Sequence, residues 1–173
     1  MPKLLIMSAA ILVLNIAALA QNTSVYTSLA AEKCRTVSVN EGMAGNYVGK
    51  CSGTGGYSLE VYLDDERNSL GVVTPSKKTI GLDLWNYFGN FSELGTTAEW
   101  RMSGKKPVAL IVRLKVSDRG DGKPGTPYLI VSKVTGTDAC VTDIVKPGRD
   151  QNAVAQRLAD KASTKPCKSP ANQ

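Results

Sequence analysis

The stretch 96–116, TTAEWRMSGKKPVALIVRLKV, decides how the chain is built. Two apolar runs flank Ser103-Gly104-Lys105-Lys106-Pro107, a cluster of turn formers. In the first run Ala98, Trp100 and Met102 alternate with Thr97, Glu99 and Arg101; in the second, Leu110, Val112, Leu114 and Val116 alternate with Ala109, Ile111, Arg113 and Lys115. Period-two alternation sorts each run onto the two faces of a pleated strand, one buried and one partly wet. The pattern predicts a β-hairpin. Matching its apolar faces requires an odd number of loop residues, because a one-residue slip turns every side chain over. One allowed register sets Glu99 opposite Arg113 as a cross-strand ion pair.

Outward from the hairpin, strands are expected at RTVSVN (35–40), at 47–51, at 58–63 with Leu59, Val61 and Leu63 inward, and at 70–73. Residues 21–26 read as a loose polar terminus and 28–33 as a short helical turn. The glycine-rich Ser52-Gly53-Thr54-Gly55-Gly56 precedes a strand, not a helix, so it reads as a turn needing positive φ rather than a phosphate cradle. Downstream, YLIVSKV (128–134) is a dense apolar strand expected beside 109–116, and ACVTDIV (139–145) an edge strand. A helix capped by Asp150 runs to about Ala162, its alanine-rich stripe suited to close packing on a sheet. The fold expected is α+β: a single antiparallel sheet of six or seven strands with a C-terminal helix packed on one face.

The ends of the chain carry different information. Lys3, an apolar run through 4–18 and the small residues Ala18-Leu19-Ala20 form a secretory signal over residues 1–20, with cleavage expected before Gln21. A single domain over 21–162 and a polar tail over 163–173 are expected to follow, with no transmembrane anchor and a periplasmic or extracellular destination. All four cysteines, Cys34, Cys51, Cys140 and Cys167, lie in the exported part, which argues for two disulfides. Three connectivities are open. The pairing Cys34–Cys51 and Cys140–Cys167 is favoured because each closes a local loop, and Cys167 would then tether the tail. A four-thiolate zinc site wants close C-x2-C pairs, and none is present.

Composition excludes some chemistry. The chain has no histidine, which removes Ser-His-Asp and Cys-His nucleophile pairs and His-ligated zinc. No catalytic residue is assigned, and no cofactor or metal is expected. Loss of Lys3 leaves 20 basic against 15 acidic side chains. The basic residues are dispersed, so a nucleic-acid partner is not expected, although a modest positive excess suits acidic envelope polymers. Asn22-Thr23-Ser24 and Asn90-Phe91-Ser92 match glycosylation sequons, and Arg119-Gly120-Asp121 an integrin-ligand tripeptide, at lengths that recur by chance.

One groove is expected to meet a partner. Aromatic residues crowd IGLDLWNYFGNFSEL (80–94), where most belong to a core and Trp85 and Tyr87 are those expected to reach a surface groove. The long polar loop after the hairpin brings Asp118, Arg119, Asp121 and Lys123 to the end of the sheet where the first hairpin strand begins. These six residues are the expected ligand-binding set. The order of a signal, C-S-G-T-G-G-Y, A-E-W-R, then D-A-C-V, a closing helix and a last cysteine resembles small exported bacterial proteins without an assigned activity. That resemblance implies a scaffold and carries over no site residue. The function expected is an exported, non-catalytic binding protein that recognises an envelope component or inhibits an enzyme; the alternative is a histidine-free hydrolase using carboxylate or Ser/Lys chemistry.

Overall fold

The computed structural model describes residues 22–40, 46–64, 66–117 and 124–170. The segment expected to be a signal and the acidic and basic residues of the long loop, Asp118, Arg119, Asp121 and Lys123, lie outside them. Among the described residues, ten strands form two antiparallel sheets of five. A meander of β2 (Arg35–Asn40), β3 (Asn46–Ser52), β4 (Ser58–Leu63), β5 (Ser69–Val73) and β6 (Thr79–Gly81) makes one sheet in chain order. A four-residue helix, α1 (Trp85–Phe88), carries the chain to the other sheet. There β7 (Phe91–Ser103), β8 (Lys106–Ser117), β9 (Thr126–Val134) and β10 (Ala139–Val145) form a second meander. The first strand of all, β1 (Thr23–Ser28), joins that second meander alongside β7. Helix α2 (Gln151–Ala159) lies on its outer face.

The expected single sheet of six or seven strands is therefore corrected to a two-sheet sandwich, mostly β. The reason is burial on two sides. Leu110, Val112 and Leu114 of β8 face the meander sheet with Leu59, Leu70 and Val72, while Ala109 and Ile111 face α2. A strand buried on both faces needs two covers, and one sheet with one helix supplies only one. The core between the sheets centres on Trp100, fully buried, whose indole N–H donates to Thr27 Oγ1 at 2.9 Å. In the second layer Ile111, Leu129, Val131 and Val145 of the sheet meet Ala155, Ala159 and Ala162, whose small side chains let helix and sheet approach closely.

Local expectations fare differently. Residues 23–28 form a paired strand instead of a loose terminus. TSVYTS is rich in β-formers, but its partners in β7 lie 69 to 79 residues away along the chain. The hairpin forms, with a two-residue turn at Gly104-Lys105 between the paired Ser103 and Lys106. Gly104 takes φ 60°, as the first central position of a type II′ turn requires. The face-matching odd residue appears as a bulge: Arg101 pairs with Ala109 but Met102 with Pro107, leaving Val108 unopposed. Glu99 stands opposite Ile111, not Arg113, because the tight turn and the single-residue bulge at Val108 set the register two residues short of that pairing. Helix α2 stops at Ala159, followed by a 3-10 turn at Ala162–Thr164, and Asp150 makes no side-chain capping bond. The glycine-rich loop takes positive φ at Gly55 and Gly56 and rests against Pro107 of the hairpin turn, which gives it a packing role. Both disulfides close locally, Cys34–Cys51 and Cys140–Cys167. No helix among the described residues is long and apolar enough to cross a membrane.

Candidate functional site

The outer face of the helix-bearing sheet is where polar side chains are most tightly organised. Between Leu94 and Ala98, three residues of β7 (95–97) lie against one of β8, Arg113. Such a bulge bends its strand and re-aims side chains. Gly95 makes it feasible, since a Cβ there would sit 3.0 Å from Arg113 Cβ and 3.3 Å from its carbonyl oxygen. The displaced backbone opens a hollow of about 350 Å³ beside α2. Its floor is Ile111 and Leu129; Glu99, Gln156 and Tyr26 stand on one side and Arg113 and Asn152 on the other.

Each polar group around the hollow is held by neighbours. Gln151 donates through Nε2 to the carbonyls of Pro127 (2.8 Å) and Val145 (3.1 Å), which turns its oxygen toward Arg113. That oxygen accepts from Arg113 Nη1 at 3.1 Å, and Asn152 Oδ1 accepts from Nη2 at 3.3 Å. Both partners are neutral amides. No carboxylate among the described residues pairs with Arg113, so its position is fixed while its charge is not neutralised. Across the hollow, Glu99 Oε1 accepts from Ser24 Oγ and from Gln156 Nε2 at 2.8 Å.

Beneath that wall lies the most buried charge of the described residues. Arg101 is 6% exposed. Its Nε and Nη2 donate to the two oxygens of Asp160 at 2.8 and 3.0 Å, Nη2 also reaches Asn22 O at 2.9 Å, and Nη1 donates to Ser24 Oγ. The Asp160 carboxylate, opposed by burial, raises the guanidinium's pKa above its ordinary value. The fork of bonds ties β7, β1 and the end of α2 into one unit. Sequence reasoning placed Arg101 on a partly wet face and missed this network. The only local signal was an arginine alternating with core residues, which reads equally as a solvated strand face.

The six residues expected to line a groove are distributed as follows. Trp85 and Tyr87 both lie on α1 and are half-buried. The Arg67 guanidinium sits 4.6 Å from the Trp85 ring centre. The Tyr87 hydroxyl donates to Lys168 O at 2.9 Å, so it holds the C-terminal segment in place. Asp118, Arg119, Asp121 and Lys123 are outside the described residues. At the stems of that loop, Ser117, Pro124 and Gly125 border a second hollow of about 550 Å³ with Glu66, Asn68 and Phe91. Neither Trp85 nor Tyr87 lines it.

The outward basic residues are not a free patch. Lys115 pairs with Glu93 at 2.9 Å, and Lys133 Nζ donates to Lys165 O at 2.8 Å. Among the described residues no three His, Cys, Asp or Glu side chains converge as a metal site requires. The Arg113 hollow is lined by one carboxylate, Glu99, already committed to Ser24 and Gln156; paired-carboxylate chemistry needs two. What the arrangement offers is recognition: a fixed cation, a fixed anion and an apolar floor. No known family model, curated protein or solved structure matches the chain.

Proposed function

We propose that this chain is an exported, non-catalytic binding protein that recognises an acidic group of a cell-envelope component through the Arg113 hollow. The observation that carries the reading is Arg113 itself, clamped by Gln151 and Asn152 without a carboxylate partner among the described residues at the edge of a concave surface. A guanidinium fixed in advance loses little entropy on meeting a carboxylate or phosphate, and its fork suits both. The two disulfides fit an oxidising compartment. The N-terminal segment has the composition of a secretory signal.

The test is calorimetric titration of the purified protein with lipopolysaccharide micelles, with neutral dextran as control. Binding of the acidic polymer alone, weakened roughly 10- to 100-fold by Arg113→Gln, supports the reading, since a charge-assisted hydrogen bond contributes about 1.5–3 kcal/mol. Equal affinity for both polymers, or an unaffected Arg113→Gln variant, removes it. Turnover of ester, glycoside or phosphate substrates, abolished by Glu99→Gln, would replace it with the hydrolase alternative.

A further inference from the structure

The large apolar side chains exposed among the described residues are Val25, Tyr26, Val37 and Val39. All four lie on β1 and β2. These are edge strands, one from each sheet. The opposite edges are treated differently. β10 is covered, because Lys168 N–H donates to Val141 O at 2.7 Å and the Cys140–Cys167 bridge pins that segment. β6 is only three residues long. By contrast β1 and β2 run six residues each, contain no proline, and carry a single charge between them, Arg35. Shortness, charge, proline, bulges and cover are the devices that keep a sheet edge from pairing; among the described residues this flank has Arg35 and one bulge, between Thr36 and Ser38, and neither proline nor cover.

The two edges also belong to the same flank. A single 3-10 turn, Ala31–Lys33, links β1 to β2, β1 touches β3, and Cys34 at the foot of β2 is bridged to Cys51 of β3. We propose that this flank is the contact between two copies of the chain, related by a twofold axis. An added peptide strand satisfies one edge only. Two neighbouring edges are satisfied together by a body that presents two edges at the same separation, and a second copy does so by symmetry. Charge argues the same way. A processed chain with 20 basic against 15 acidic side chains meets its copy with least repulsion where its surface is neutral, and β1 bears no charge at all. Tyr26 also lines the Arg113 hollow, so the substitutions that test the contact fall on Val25, Val37 and Val39, which do not.

The experiment is sedimentation equilibrium on the processed chain over a wide concentration range, with hydrogen exchange at the two ends of that range. A dimer is expected, with amides of 23–28 and 35–40 gaining protection as concentration rises. Val37→Lys with Val39→Lys, and separately Val25→Lys, should weaken dimerisation about tenfold or more while circular dichroism and Tm stay unchanged. Should either variant lose its fold, the concentration-dependent exchange of the unaltered chain still decides the matter. A chain that stays monomeric with free exchange on both strands overturns the proposal. So does a dimer whose strength the lysines leave unchanged, because its contact then lies elsewhere.

Discussion

Trp100 and Arg101 are neighbours on one strand and both are buried, yet only one of them is legible as such in the sequence. Trp100 alternates with Ala98 and Met102, so its face follows from the pleat. Arg101 points the other way, and its cover is assembled from distant chain: Asn22 and Ser24 on the N-terminal side, Asp160 beyond the helix. Removing one partner of a buried ion pair leaves the other charge uncompensated. Arg101→Ala is expected to lose about 3–5 kcal/mol in urea unfolding. A double-mutant cycle with Asp160→Ala should show strong coupling, because the bidentate bonds exist only when both are present. Arg113 makes the contrasting case. Its partners are half-exposed or exposed amides, so Arg113→Gln should change stability by less than about 1 kcal/mol while altering binding.

At the scale of elements, the hairpin shows how a sequence constraint is met by an unforeseen device. The apolar faces of β7 and β8 demand one odd residue, and the chain supplies it as the Val108 bulge rather than in the turn, where Gly104 favours two residues. The second irregularity, at 95–97, leaves no trace in the alternation because Gly95-Thr96-Thr97 carries no large apolar residue. It sets three residues against Arg113, while the tight turn and the Val108 bulge have already placed Glu99 opposite Ile111. The C-terminal segment is the other element that behaves as a unit. It is held by Cys140–Cys167, by Lys168 on Val141 and by Lys165 on Asp143 at 2.7 Å. Replacing both cysteines by serine should cost about 3.5 kcal/mol in the chain-entropy account. The same change uncovers the edge of β10, so faster aggregation on heating is expected, read by light scattering.

For the whole molecule, a strand-dominated circular-dichroism spectrum is expected, since α2, at nine residues, is its longest described helix. Alkaline stability follows from the tyrosines. Burial, then the hydrogen bond and charge of Glu60 and the charge of Asp83, pushes Tyr62 from 10.0 up to about 12. Burial also raises Tyr57, and burial with Asp83 raises Tyr87. In this window the unfolded chain releases phenolic protons before the folded one does. Stability is therefore fully present below about pH 10 and declines as pH rises toward 12. Urea midpoints at pH 9, 10 and 11 should fall in that order, with a shallower fall for Tyr62→Phe. A further expectation concerns processing: mass spectrometry of exported protein should place the mature N-terminus at Gln21.

The sequence by itself determined most strand positions, the central hairpin and the absence of histidine chemistry, and it favoured the local cysteine pairing without deciding it. Each of these depends on alternation, turn residues or composition, which are properties of short stretches. Only the tertiary structure decided that the strands divide into two sheets, that β1 crosses to pair with β7, and that Arg101 is sealed beneath α2. Alternation says which face of a strand is apolar but not what covers it. A strand such as β8, apolar on both faces along much of its length, fits a single helix-covered sheet as well as a sandwich until its second cover is known. The hollow beside Arg113 was illegible for the same reason: it exists because a bulge, an edge strand and a helix from three distant segments meet at one place.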